Sequence, residues 1–253
     1  MKSFLIKFTY VLLFILLGIS IYGAQLLSES TIVEKFNVNI DVTKADNFLS
    51  PSDIKESVYL KLDTLEGKFV KNINLREVEA LANEVEGVES SEAFFQSNGE
   101  LNLNVKLKKV FIRVKPASGQ GYYIDNHGDV MKWIPNYTPK VITVSGDVGS
   151  YFKNQLDSTG INHKLVKNLF EFYSILEKDE LLLAQTNYIN ITKAGEVEII
   201  PVIGEHRILL GDFSDIENKI KKINVFYQRI IPKVGWAKYK LVNLKYDHQI
   251  VCK

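Results

Sequence analysis

The chain has 253 residues, 46% of them hydrophobic, with 31 Lys and Arg against 30 Asp and Glu. That length and apolar content exclude both a mini-protein and a disordered chain, and suit two modest domains or one large one. A net charge of +1 argues against a nucleic-acid binder, and the single cysteine, Cys252, excludes an intramolecular disulfide framework and a thiolate zinc site within one chain.

The charges are unevenly spread. Between Lys7 and Glu29 no residue is charged, and Leu, Ile, Val, Phe and Tyr dominate the run. Residues 8–27 at about 1.5 Å rise span about 30 Å, the thickness of a bilayer's hydrocarbon core. Tyr10 and Tyr22 fall toward its ends, where amphipathic rings favour the interface. Lys2 and Lys7 precede it and Glu29 and Glu34 follow, which orients residues 1–7 as a cytoplasmic tail and sends the remainder across the membrane. A cleaved signal peptide also starts basic and turns apolar, but its cut after Ala24 would leave Tyr22 where a small residue is preferred. The expectation is therefore an uncleaved single anchor, followed by a tether over 28–35.

Phe36 to Val42 alternates apolar and polar, the period of a half-buried strand. Ser50-Pro51-Ser52-Asp53 reads as a helix start, with Ile54, Val58, Leu62 and Leu65 at helical spacing behind it. Asn74 caps a second helix carrying Leu75, Val78, Leu81, Ala82 and Val85, ended by Gly87. Val88–Gln96 and Leu101–Lys108 flank Asn98-Gly99, a hairpin signal whose two central residues are expected at positive φ. The order strand, helix, helix, strand, strand describes a small α+β unit.

Beyond Pro116 the texture changes. Tyr122–Asp125 and Val130–Trp133 flank a turn at Asn126–Asp129, and Val141–Val144 runs into Ser145-Gly146. A helix from Asn162 carries Leu165, Leu169, Phe172, Tyr173 and Leu176. Strands are expected at Tyr188–Thr192, Glu196–Pro201 and Arg207–Leu210. Ser214 to Glu217 reads as a capping box for a helix with Ile216, Ile220, Ile223, Tyr227 and Ile230 in one stripe, stopped by Pro232. Lys240–Tyr246 and Gln249–Lys253 read as the last two strands, turned at Asp247-His248.

Motifs for chemistry are absent. The four histidines are scattered, and there is no HExxH, GxSxG or GxxxxGK[ST]. Asp125, His127 and Asp129 are explained as turn formers in preference to metal ligands. Cys252 has no suitable base nearby in sequence and reads as a strand cysteine. The chain is expected to be no enzyme, with no catalytic residue, cofactor, metal or small-molecule substrate.

Several local signatures occur in a familiar order: Phe48-Leu49; Gly87-Val88; Gly121-Tyr122-Tyr123-Ile124-Asp125 with Gly128 and Val130; Val144-Ser145-Gly146; Leu209-Leu210-Gly211; and Asn243-Leu244-Lys245-Tyr246-Asp247. Together they resemble the FtsQ/DivIB family of bacterial cell-division proteins. One departure is Lys108-Lys109-Val110-Phe111, where the family often has an acidic residue and a proline. The resemblance implies an α+β chain with an N-terminal transmembrane helix, a POTRA domain of βααββ order over 36–113, and a mixed, β-rich C-terminal domain over 114–253. An exposed terminal strand edge completes it.

The resemblance also implies a non-enzymatic divisome scaffold in the bacterial inner membrane at the septum. Its partners would be FtsB/FtsL-like bitopic proteins, with further divisome contacts through the POTRA domain and a role in controlling septal peptidoglycan synthesis. Binding would be β-strand addition, in which an unpaired edge offers its N–H and C=O groups to an incoming strand. On this sequence the contact maps to Lys245, Tyr246, Asp247, Gln249, Ile250, Val251, Cys252 and Lys253. Tyr246 is open to either contact or core. The alternative is an exported POTRA chaperone for outer-membrane or secreted polypeptides.

Overall fold

The computed structural model describes residues 12–20, 31–41, 48–135, 137–149 and 161–253. The chain divides into two compact units, 1–107 and 108–253. The expected tail at 1–7 lies outside the described residues, as does the expected anchor at 8–27 apart from 12–20, which are helical and exposed. Among the described residues no helix is long and apolar enough to cross a membrane.

In the first unit β1 (Phe36–Asp41), α1 (Pro51–Leu62), α2 (Leu75–Asn83), β2 (Val88–Phe95) and β3 (Leu101–Leu107) follow in the expected order. The three strands form a sheet ordered β1-β3-β2, with β1 parallel and β2 antiparallel to β3. Alternation along β1 and β3 turns Phe36, Val38, Leu101, Leu103 and Val105 onto Ile54, Val58, Val78, Leu81 and Ala82 of the helices. Ser50 makes the full capping box with Asp53, as its sequence indicates.

Three details differ from expectation. The tether is no free linker over its described part: Val33 is 1% exposed, and its N–H and C=O pair with Lys68 and Gly67. A buried valine with both backbone groups satisfied belongs to the fold. The hairpin at Asn98-Gly99 has only Gly99 at positive φ, and Gly99 N–H bonds Gln96 O while Gln96 N–H bonds Glu100 O. That is a type I turn closed by a glycine bulge, so Asn98 stays right-handed. The unit boundary falls at 107/108 and not near Val114, because β4 (Val110–Pro116) is an interior strand of the second sheet. Its Val110, Ile112 and Val114 alternate in the sequence as any half-buried strand does.

Among the described residues the second unit holds a sheet of nine strands ordered β12-β11-β10-β9-β8-β7-β4-β5-β6. They are β4, β5 (Tyr122–Asp125), β6 (Val130–Lys132), β7 (Ile142–Gly146), β8 (Thr186–Ile191), β9 (Val197–Pro201), β10 (Arg207–Gly211), β11 (Leu241–Asn243) and β12 (Val251–Cys252). One face packs on α3 (His163–Leu176), α4 (Glu180–Gln185) and α5 (Ile216–Val225), through residues such as Val144, Ile189, Ile199, Ile208 and Val242 against Leu169, Phe172, Ile220 and Ile223. Residues of the other register carry polar pairs: Arg113 donates to Thr143 at 3.2 Å and Asn190 to Glu198 at 3.4 Å.

The capping box expected at Ser214 is replaced by another arrangement. Asp215, at φ 47°, is the N-cap, and Ser214 donates both its N–H and its hydroxyl to Asp212. Pro232 does not stop the helix. A π-turn over Phe226–Ile230 precedes α6 (Ile231–Val234), so the proline stands in a first turn, where no N–H donor is required, and Gly235 ends the segment.

Candidate partner-binding edge

The last two strands are shorter than their sequence pattern. β10 and β11 run parallel, and the chain then turns back so that β12 pairs antiparallel with β11, Val242 opposite Cys252 and Asn243 opposite Val251. His248, at φ 60°, accomplishes the reversal in the left-handed region that few side chains enter. Asn243 Oδ1 accepts from Lys245 N–H at 3.0 Å and ends the strand early.

The phase of this ladder decides what the edge offers. Lys253 N–H bonds Leu241 O at 2.9 Å and Leu241 N–H bonds Lys253 O at 3.1 Å. Those two residues form a hydrogen-bonded pair, so the neighbouring pair, Val242 and Cys252, is the non-hydrogen-bonded kind. Cys252 therefore points its N–H and C=O away from β11. Because β12 is the end strand of the sheet, that direction is the open edge.

The expected contact residues gather around this edge with distinct environments. Lys245 pairs with Glu196 at 2.6 Å, and that hydrogen bond raises the lysine above its ordinary pKa. Tyr246 is 50% exposed, which makes it a surface ring and removes the core reading; its carbonyl accepts from Lys222 Nζ at 2.7 Å. Asp247 and Gln249 are exposed, and Ile250 is half-buried against the core. Val251 and Cys252 are half-buried in β12, and Lys253 is exposed. Burial pushes the Cys252 thiol up, the opposite of what a nucleophile needs.

Beside the edge lies a groove of about 550 Å³ between the turn Asp247–Ile250 and the outer side of α5, where Asp215, Asn218, Lys221, Lys222 and Val225 line it. These five residues were not expected as site residues. For Asn218, Lys221 and Lys222 the sequence signal was the polar side of an amphipathic helix, which any solvated helix shows. The loop entering α5 is held by Lys219 Nζ on Asp212 at 2.7 Å, and this bond with that from Ser214 brings the Asp212 carboxyl down to about 2.

Asp125 behaves as a turn former. It is buried, its Oδ1 accepts from the N–H groups of His127 and Asp129 at 2.9 Å each, and Lys108 Nζ lies 3.2 Å from its other oxygen. No group of His, Cys, Asp and Glu suited to a metal ion occurs among the described residues.

The family model described as FtsQ/DivIB, C-terminal related matches residues 110–253, nearly the whole second unit. No curated protein matches the sequence. The matched span includes the nine-stranded sheet, its covering helices and the terminal edge, more than half of the chain. On that extent the chain belongs to the FtsQ/DivIB, C-terminal related family of cell-division proteins.

Proposed function

We propose that this chain is a non-enzymatic scaffold of the division machinery that takes a strand from an FtsB/FtsL-like bitopic partner onto the open side of β12. The observation that carries this reading is the outward N–H and C=O of Cys252 on an end strand of only two residues. Such an edge makes backbone hydrogen bonds with an added strand, while flanking side chains set specificity. Tyr246 and the groove beneath Gln249 and Ile250 supply the flanking surface. The β-α-α-β-β order of the first unit supports reading it as a POTRA domain, a second recruitment surface. The apolar run over 8–27 supports a single anchor that holds both units on the outer side of the inner membrane at the septum.

Deleting Ile250–Lys253 is expected to abolish capture of the FtsB-like partner by the full chain, while the first unit keeps its thermal transition. Capture at wild-type strength by the truncated chain would remove the edge reading.

A further inference from the structure

The chain as a whole is charge-balanced, yet from Asn218 to Tyr246 it carries eight Lys and Arg and no Asp or Glu. Part of this excess is neutralised locally. Lys219 is spent on Asp212, Lys240 pairs with Glu205, and Lys245 pairs with Glu196. Arg229, Lys233 and Lys238 are exposed and enter no ion pair among the described residues. They stand at the end of the π-turn, on α6 and in the loop after it.

The same tip exposes apolar side chains. Val234 is 38% exposed and Trp236 39%, and the turn after β9 adds Val202 at 57% and Ile203 at 52%. The two loops meet through buried His206, whose ring stacks on Trp236 with centroids 6.3 Å apart, and Tyr227 lies 5.7 Å from the same indole. Gly204 sits against that indole as well. The indole is thus braced from below while its outer side stays bare. Gly235, which separates the helix from Trp236, gives the tip its sharp bend at φ 81°.

Exposed cations close in sequence to a partly exposed tryptophan with exposed aliphatic neighbours match one kind of occupant. Anionic headgroups attract the lysines, and the indole and branched side chains settle at the headgroup–acyl boundary. A soluble acidic polypeptide could meet the charges, but it supplies no apolar phase for four exposed apolar side chains. We infer that the tip made by Val202–Glu205 and Lys233–Lys238 docks on the surface of a bilayer containing anionic phospholipid, a contact separate from the β12 edge.

The test uses the full chain with Trp133→Phe, which leaves Trp236 as the single tryptophan of the original two. Its fluorescence is followed with vesicles of brominated phosphatidylcholine, with and without phosphatidylglycerol. Quenching is expected with phosphatidylglycerol and is expected to fade in high salt or in the neutral lipid alone. Replacing Lys233 and Lys238 with Glu, both exposed and without an ion pair among the described residues, should weaken the association by at least about tenfold, since each cation near an anionic surface counts for about fivefold. No quenching with phosphatidylglycerol would overturn the inference and leave the cations to a protein partner. Equal quenching in neutral vesicles, or no effect of the double substitution, would overturn its electrostatic basis. Vesicle flotation reports the anchor separately: a chain that floats while Trp236 stays unquenched refutes this contact and not the anchor.

Discussion

Replacing Cys252 with proline discriminates between the two sides of β12. The internal ladder takes its donors from Val251 and Lys253, because Lys253 and Leu241 form a hydrogen-bonded pair and the alternation makes Asn243 and Val251 the next one. Proline at 252 removes only the N–H that faces the open edge, the position at which edge strands tolerate it. The fold should therefore lose little beyond the half-buried Cys252 side chain and the strain of a fixed φ. A partner strand, in contrast, loses one backbone hydrogen bond and meets the pyrrolidine ring. One net hydrogen bond is about 1 kcal/mol, and a partner carbonyl left buried and unpaired raises the loss to about 3 kcal/mol. That corresponds to about 5- to 150-fold in Kd. Val251→Pro, which removes a ladder donor, is expected to lower the melting temperature and reduce binding together. Cys252→Ser controls for loss of the thiol. Titration calorimetry with the partner's soluble segment and a thermal melt of each variant read the two effects apart. Binding of Cys252→Pro at wild-type affinity would refute strand addition at this edge; a melt shifted as far as that of Val251→Pro would refute the ladder phase.

Burial holds His206 below its ordinary pKa of 6.5, so the folded state binds fewer protons than the unfolded chain; stability should be intact above that value and fall as pH drops below it, and His206→Phe should flatten the slope seen in denaturant titrations at several pH values. The buried Nδ1 of His206 has no hydrogen-bond partner among the described residues, so the charged ring would leave an N–H unpaired there. Ser50→Ala removes one partner of a complete capping box and should cost about 1 kcal/mol in the transition of the first unit, measured by urea unfolding. Gly146→Ala should destabilise the second unit by about 2 kcal/mol or more, because Gly146 stands at φ 101° and an added Cβ would fall 2.0 Å from Ile191 O.

Periodicity and caps marked most elements without help from the fold. Phe36 to Asp41 and Leu101 to Leu107 alternate because one face of their sheet is buried, and Asn162 accepts from Leu165 N–H as a capping asparagine does. At three places a tertiary contact overrides the local signal. Ser214 has capping chemistry, yet its hydroxyl goes to Asp212, which Lys219 holds in place, and Asp215 takes the cap. Pro232 forbids a regular helix interior, and a π-turn before it absorbs the conflict. β4 alternated plainly, but nothing local says which of two sheets it joins. Its partners are Tyr122 to Asp125 and Ile142 to Gly146, all later in the chain.

The sequence by itself determined the kinds of element and the absence of catalytic motifs, since these follow from side-chain periodicity and residue chemistry, while the place of an edge along the chain came from the family resemblance. Which strand ends the sheet, which way the N–H of Cys252 points, that Tyr246 lies outside, and that Trp236 comes to rest beside the Val202–Glu205 turn were decided by the tertiary structure alone. The physical reason is that register and neighbourhood are properties of pairs of segments far apart in the chain. A side-chain period of two or of 3.6 constrains which face is buried, but not which partner buries it.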